Sequence, residues 1–408
     1  MPDHDLILLG ATGFTGRLVA EALLAAARTE PTRLAFAGRN AEKLAEVRAA
    51  LALRFPEAAS IPLLSADTTD PASLATLAAS TRVIATTVGP YRRYGTPVVE
   101  ACVNAGTHCC DLTGEVPWMR TVIDTFQDRA VASGARIVQP CGFDSIPSDL
   151  GTFYTQSECL ARWGHPAEKI TGLLGESRGG MSGGTAESMR ELSDQLQHEP
   201  DVRRLLLQPY SLNPDPTFQG PDGRDSLAVG WEPHLGKWTA PFFMAPVNTR
   251  VVRRGHALMG FPWGEGFRYE ERMTLPGGPR GAALAAGIAA GLATTAAVLA
   301  SPLASVVTNR MPQPGAGPSE EARRKGHWVM RFVAEAGEKW LLTEAGDAHG
   351  DPGYDSTARM LSQSALSLAH DPLTVGGGCW TPASALGTFL VERLRKVGLR
   401  FEVRTDGT

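Results

Sequence analysis

The chain has 408 residues, 43% of them hydrophobic and 20% charged, and a formal net charge of −4. That length carries two or three domains with a sizeable core, and the acidic balance, without a basic block, argues against a general nucleic-acid binder. The six cysteines (Cys102, Cys109, Cys110, Cys141, Cys159 and Cys379) contain no C-x-x-C pair, so no metal site is expected and the thiols read as reduced and buried, as in a cytosolic protein.

The first apolar run, residues 5–9, is too short for a signal peptide and leads into glycines at three-residue spacing, Gly10, Gly13 and Gly16. A helical pattern follows over 15–28. Strand, glycine turn and helix start in this order are the setting for dinucleotide binding. The first glycine permits a tight turn, the second lets the backbone approach a pyrophosphate, and the third lets the helix lie close to the sheet with its N–H groups facing the anion. The cofactor contacts expected here are Gly10, Thr12, Gly13, Phe14, Thr15 and Gly16.

A second strand over 33–40 ends in Gly38-Arg39-Asn40. A carboxylate at that point would accept from the ribose 2′-OH of NAD, whereas a cation suits the 2′-phosphate of NADP. Arg39 can stack on adenine and grip a phosphate with its planar fork, and Asn40 and Lys43 lie beside it. NADP(H) is therefore expected in preference to NAD. A third strand, 61–67, ends in Asp67 near the adenine edge, and Asp70 with Pro71 opens the next helix. The fourth strand, 82–91, runs into a Gly-Pro turn. Its carboxyl end should share the edge of the glycine turn, so Thr87, Val88, Gly89 and Pro90 are expected to border the cofactor, with Tyr91 and Tyr94 toward the substrate. A helix over 96–105, a strand at 108–112, a helix over 116–133 and a strand at 135–140 complete the alternation. The expected fold class is thus α/β, a Rossmann-type doubly wound parallel sheet over 1–150.

From about 151 the character changes. A strand at 171–177 precedes a glycine-rich stretch, 178–185, that matches no phosphate-loop motif and reads as a substrate loop or hinge. Residues 199–280 are rich in Pro, Gly and Trp and suggest a second, partly β unit, giving an α+β substrate or dimerisation domain over 151–350. No charged residue occurs between Arg280 and Arg310. Length alone would permit a membrane span, but ten of the 21 residues before Pro302 are alanine and three are glycine, so insertion would be marginal. The segment 281–307 reads as a buried or homodimer-interface helix, as a membrane-surface or lipid contact, or as a span; Gly287 and Gly291 form a small-x-x-x-small pair. Farther on, 328–334 and 338–344 alternate like a hairpin, Thr381 with Pro382 opens a helix, and 399–403 reads as an edge strand.

Taken together, these motifs resemble the saccharopine dehydrogenase-like oxidoreductases, in particular the branch of the bacterial trans-acting enoyl reductases. The residues that carry the resemblance are Gly10 to Gly16, Ala37-Gly38-Arg39, Val88-Gly89-Pro90-Tyr91 with Tyr94-Gly95, Asp111-Leu112-Thr113-Gly114-Glu115, the run from Gly142 to Gly151, and Thr381 to Gly387. The resemblance implies a Rossmann domain completed by the C-terminal segment 351–408, with an inserted second domain, and an enzyme acting in trans on acyl chains of a lipid or polyketide. It brings no set of catalytic residues.

Reducing an enoyl thioester sends a hydride to Cβ, builds an enolate oxygen and requires a proton at Cα. Tyr91 or Tyr94 could donate to that oxygen, and Glu115, Asp144 or Ser145 could move the proton. Each has a structural alternative: Asp144 or Glu115 as a cap of the helix after it, Tyr91 as packing beneath the ring. Two further readings compete with an enoyl reductase. One is saccharopine-like chemistry at a C–N bond, which calls for an arginine cluster drawn from Arg92, Arg93, Arg178 and Arg190. The other is a lipid- or membrane-associated nucleotide-binding protein without turnover. The expected location is cytoplasmic, with membrane association as the alternative.

Overall fold

The computed structural model describes residues 2–179, 183–301, 304 and 317–407. Its organisation starts from the first strand, β1 (His4–Leu9), which is apolar on both faces. Leu6 and Leu8 enter one buried cluster while Ile7 and Leu9 enter another, the period-two alternation of a strand covered on both sides. Around it the chain alternates through α1 (Phe14–Ala27), β2 (Leu34–Gly38), α2 (Ala41–Ala52), β3 (Leu63–Ser65), α3 (Pro71–Ala79), β4 (Thr81–Thr86), α4 (Tyr91–Ala105), β5 (His108–Cys110), α5 (Val116–Ser133) and β6 (Arg136–Val138). These strands pair in parallel in the order β6-β5-β4-β1-β2-β3. The order reverses between β1 and β4, so their carboxyl ends flank the crevice where ligands bind in such sheets.

The next helix, α6 (Ile146–Trp163), carries the chain to a second, mixed sheet. It is built from β7 (Lys169–Arg178), then, after α7 (Gly183–His198) and α8 (Pro200–Leu207), from β8 (Gly230–Glu232) and β9 (Lys237–Pro241). Past α9 (Ala245–Leu258) come β10 (Arg268–Leu275) and the long helix α10 (Gly278–Leu299), then α11 (Glu320–Arg324) and the antiparallel pair β11 (His327–Ala336) and β12 (Lys339–Asp347). The chain then returns to the first sheet. The helix α12 (Thr357–His370) packs on α1 and on β1, β4 and β5, and β13 (Gly378–Trp380) adds in parallel beside β6. After α13 (Pro382–Lys396), β14 (Arg400–Gly407) closes the edge of the second sheet, whose order is β14-β12-β11-β7-β10-β9-β8. One face of that sheet lies on α6, where Trp328 and Phe332 are fully buried. All six cysteines are free and buried.

Two local expectations change. The fourth helix begins at Tyr91 rather than near 96, because an outside carboxylate caps its first turn, as described below. Of the segment 281–307, the described part up to Leu299 is a helix in which only Gly281 and Ala285 are buried and the other positions are exposed or half-buried, so the reading of a helix buried within the chain does not hold for it. Residues 302–303 and 305–307 of it, and 180–182 of the glycine-rich stretch, lie outside the described residues.

Candidate active site at the carboxyl edge of the parallel sheet

The three glycines of the first turn do different work. Gly10 sits at φ +95°, and a Cβ there would lie 2.7 Å from Thr87 Oγ1; only glycine fits. At Gly16 a Cβ would lie 2.1 Å from the Gly10 carbonyl oxygen, so this residue lets α1 press on the turn. Gly13 is different. A Cβ there would meet only Gly10 O, at 3.5 Å, so the fold itself does not demand glycine, and the space above it is open. The start of α1 is also uncapped: Gly13 supplies no side-chain hydrogen bond and the first turn holds no carboxylate. By contrast α2 is capped by Asn40, whose Oδ1 accepts from Lys43 N, and α3 by Asp70. An open glycine below a helix start whose N–H groups find no capping side chain among the described residues suits a pyrophosphate, so the residues present fit a dinucleotide.

At the carboxyl end of β2, Arg39 is exposed, close enough to Asp67 that its charge helps hold that carboxyl below its usual pKa, after the larger effect of hydrogen bonds from Thr69 N and Oγ1. Asp67 and Asn40 thus shape local turns, and both cations at this end, Arg39 and Lys43, are exposed. Beyond β4, Thr87 N donates to Leu9 O and Thr87 Oγ1 to Gly10 O at 3.2 Å, which fastens this loop to the glycine turn. Val88 is partly buried, Gly89 is exposed, and Pro90, after a cis peptide bond, precedes α4. Phe14 is turned into the protein: its ring meets Tyr354 edge-on at 4.8 Å, and the Arg323 guanidinium lies over it at 5.4 Å.

The four candidates for acid–base chemistry separate by their partners. Tyr91 is buried; its hydroxyl donates to Thr86 O and accepts from Leu112 N, and burial pushes its pKa well up. Glu115 caps not its own helix but the start of α4. Its carboxylate accepts from Tyr91 N at 3.0 Å, Arg92 N at 2.9 Å and Ser188 Oγ at 2.7 Å. Ser145 is fully buried and gives its proton to Asn248 Oδ1 at 2.9 Å. These three side chains carry structural hydrogen bonds. Tyr94, the other phenol considered, lies inside α4 rather than in a loop.

Asp144 stands apart. It is partly exposed, does not cap the helix that follows, and among the described residues no donor reaches its carboxylate. A Cβ on Gly114 would come within 3.7 Å of its Oδ2, which sets it over the turn after β5. That turn is fixed by buried Asp111, which accepts from Thr113 N and from Gln139 Nε2. Burial with no compensating partner raises the Asp144 carboxyl to about 6, where it can hold a proton near neutrality.

The second sheet supplies the opposite wall. Asn248 on α9 donates to Glu271 Oε2, and Tyr269 donates to Glu271 Oε1 at 2.6 Å. Burial raises Glu271 to about 7. Phe143, the residue before Asp144, packs with Leu174, Phe242, Met244 and Met273 in an apolar cluster. Sequence reasoning missed both groups, since their members lie far apart along the chain; the one local signal was the arginine run in α9. There Arg250, Arg253 and Arg254 are buried and spend their donors on Asp225, Asp222 and carbonyl oxygens. Nor do the expected cations form a cluster free for a dicarboxylate. Arg92 pairs with Glu199, Arg93 with Glu191 and Arg190 with Glu187, while Arg178 ends a strand.

Against known proteins, residues 6–138 match the family described as the saccharopine dehydrogenase NADP binding domain. A trans-acting enoyl reductase of Mycobacterium tuberculosis is 39% identical over 97% of this chain and 97% of its own. The trans-acting enoyl reductase of Mycobacterium leprae is 36% identical over 97% of each. Among solved structures, saccharopine dehydrogenase (L-Glu forming) from Saccharomyces cerevisiae aligns over 98% of this chain and 100% of its own, with a TM-score of 0.55 and 12% identity, which speaks for the fold alone.

Proposed function

The chain belongs to the saccharopine dehydrogenase-like oxidoreductases, among the trans-acting enoyl reductases, and we infer from this that it reduces the C=C bond of a lipid- or polyketide-type acyl substrate. It is an NADP-dependent oxidoreductase; NADPH is preferred to NADH on this reading because Arg39, and no carboxylate, ends β2.

One observation carries the chemistry: the partly exposed Asp144 carboxyl between β6 and α6, raised to about 6 and without a partner among the described residues. NADPH when bound supplies the hydride that adds to Cβ. The electron pair of the double bond then moves toward the thioester oxygen, and Asp144 transfers its proton to Cα, leaving a saturated acyl group and NADP⁺; Asp144 is reprotonated from water. The unanswered N–H groups of α1, with Gly13, hold the pyrophosphate, and Arg39 holds the 2′-phosphate. The apolar cluster around Phe143 and Met273 receives the acyl chain. A C–N reaction would need cations for an amino-acid dicarboxylate, and Arg92, Arg93 and Arg190 are each paired within the chain.

The test is Asp144→Asn, assayed by NADPH oxidation with short- and long-chain 2-enoyl thioesters. Turnover should fall by roughly two orders of magnitude or more, the scale of a lost general acid, with the NADPH Kd unchanged. The acid must be protonated to work, so wild-type kcat/KM should fall with rising pH above about 6, and the variant should lack that limb. Variant turnover within tenfold of wild type, or no thioester consumed by either protein, would overturn the reading.

A further inference from the structure

The loop that carries Asp144 between β6 and α6 is tied down on both sides of it. Before it, Phe143 N donates to Thr357 Oγ1 at 3.1 Å, and that hydroxyl donates in turn to Pro352 O. After it, Ser145 Oγ donates to Asn248 Oδ1 at 2.9 Å. The two anchors come from 214 and 103 residues along the chain. One is the first residue of α12 and the other lies in the first turn of α9, which packs on β10.

Ser145 stands immediately before α6, where a serine hydroxyl ordinarily accepts from the helix's own N–H groups. It makes no such bond and donates to α9 instead. The helix start forgoes its usual cap for a bond that reaches the second sheet.

Asn248 is an equally costly choice. Asparagine is a poor helix former, and a buried amide must find partners for its polar atoms. Both ends of this one are used: Oδ1 accepts from Ser145, and Nδ2 donates to Glu271 Oε2 at 2.9 Å. The Glu271 carboxylate decides which way round the amide lies, because a flipped amide would set its oxygen against a carboxylate oxygen. Glu271 is held in turn by Tyr269, whose hydroxyl donates to Oε1 at 2.6 Å. Ser145, Asn248, Tyr269 and Glu271 are each no more than 5% exposed. A side-chain amide does not pass protons along, so the row from Glu271 through Asn248 to Ser145 cannot feed Asp144 with a proton. It can hold the loop in place.

Holding matters for an acid. A misplacement of about 1 Å can cost roughly two orders of magnitude in rate. Among the described residues no donor reaches the Asp144 carboxylate to set its direction, so its place is set by the anchored residues on either side.

We propose that Asn248, oriented by Glu271, is a positioning residue: through Ser145 it holds the Asp144 loop, so that the second sheet sets the place from which the acid delivers its proton. This rests on Asp144 as the acid of the enoyl reduction proposed above.

The test compares Ser145→Ala, Ser145→Thr and Asn248→Ala, each alone and combined with Asp144→Asn, in NADPH oxidation with a 2-enoyl thioester. Ser145→Ala removes one hydroxyl and nothing else, so it stays informative if Asn248→Ala, which strips a partner from Glu271, does not fold. Ser145→Ala should lower kcat by roughly tenfold or more, with KM and the NADPH Kd within about twofold of wild type. Ser145→Thr, which keeps the hydroxyl, should recover most of that loss. In the Asp144→Asn background Ser145→Ala should cost nothing further, since its effect passes through the missing carboxyl. Equal losses of kcat in both backgrounds would overturn the positioning and leave the acid. So would an unchanged kcat in Ser145→Ala while Asp144→Asn has lost turnover. Asp144→Asn within about tenfold of wild type would remove the acid itself and the positioning with it, so the two failures are distinguishable.

Discussion

Replacing Gly13 by alanine separates binding from folding. Gly13 lies at φ −71° and ψ 164°, a conformation any residue adopts, and its new methyl would touch only the Gly10 carbonyl oxygen, at 3.5 Å. The fold should therefore accept it, with about 0.4–1 kcal/mol gained from a less flexible unfolded chain. The methyl would occupy the space through which a pyrophosphate reaches the helix N–H groups. Hydrogen bonds to a charged group contribute about 1.5–3 kcal/mol each, so losing two at the lower figure costs about 3 kcal/mol, or roughly two orders of magnitude in Kd. Gly16→Ala is the contrast: its Cβ would stand 2.1 Å from Gly10 O, so α1 must move and the melting temperature should fall. Thermal unfolding and fluorescence titration with NADPH read the two effects. If folded Gly13→Ala bound NADPH within threefold of wild type, or lost as much stability as Gly16→Ala, the turn would serve the fold alone and the phosphate argument would fail.

Arg39→Ser should weaken NADPH binding by roughly tenfold or more, the scale of a lost charge-assisted contact, and leave NADH binding nearly unchanged; equal loss for both cofactors would remove Arg39 as the discriminator. Stability should depend on pH through Asp149, which burial raises to about 7 although it accepts from Ala383 N at 2.7 Å. Its carboxyl binds a proton more tightly in the folded state than in the unfolded state, so the stability this contributes is present below the unfolded value of 3.8 and is lost as pH rises through about 7. Asp149→Asn should accordingly narrow the difference in melting temperature between pH 5 and pH 8, read by scanning calorimetry (~ values bracketing the titration); an unchanged difference would mean that Asp149 does not titrate there.

The features legible in the sequence were those made between near neighbours. The glycine turn, the Asp70 and Thr381 caps with proline after each, and the hairpin of β11 and β12 are each set by a few consecutive residues. Gly13 could be named as a candidate phosphate contact for the same reason, although only coordinates separate it from Gly10 and Gly16, which the fold itself needs. Glu115 shows the limit. Placed at the start of one helix, it invited reading as that helix's cap or as an acid, whereas its carboxylate holds the start of α4, 24 residues back. Ser145 meets Asn248 across 103 residues, a pairing that no spacing rule foresees.

By itself the sequence determined the parallel sheet and named the edge proposed for the cofactor, with Arg39 beside it, because strand periodicity, backbone freedom at glycine and the charge of Arg39 are local properties. Tertiary structure decided which candidate side chain finds no partner among the described residues. Tyr91, Glu115, Ser145 and Asp144 are alike as candidates until the fold brings partners to the first three and, among the described residues, only burial to the fourth. It also decided the place of the uncharged helix. Whether an apolar face is covered depends on what packs against it, and α10, packed on β9, keeps only Gly281 and Ala285 buried along its length.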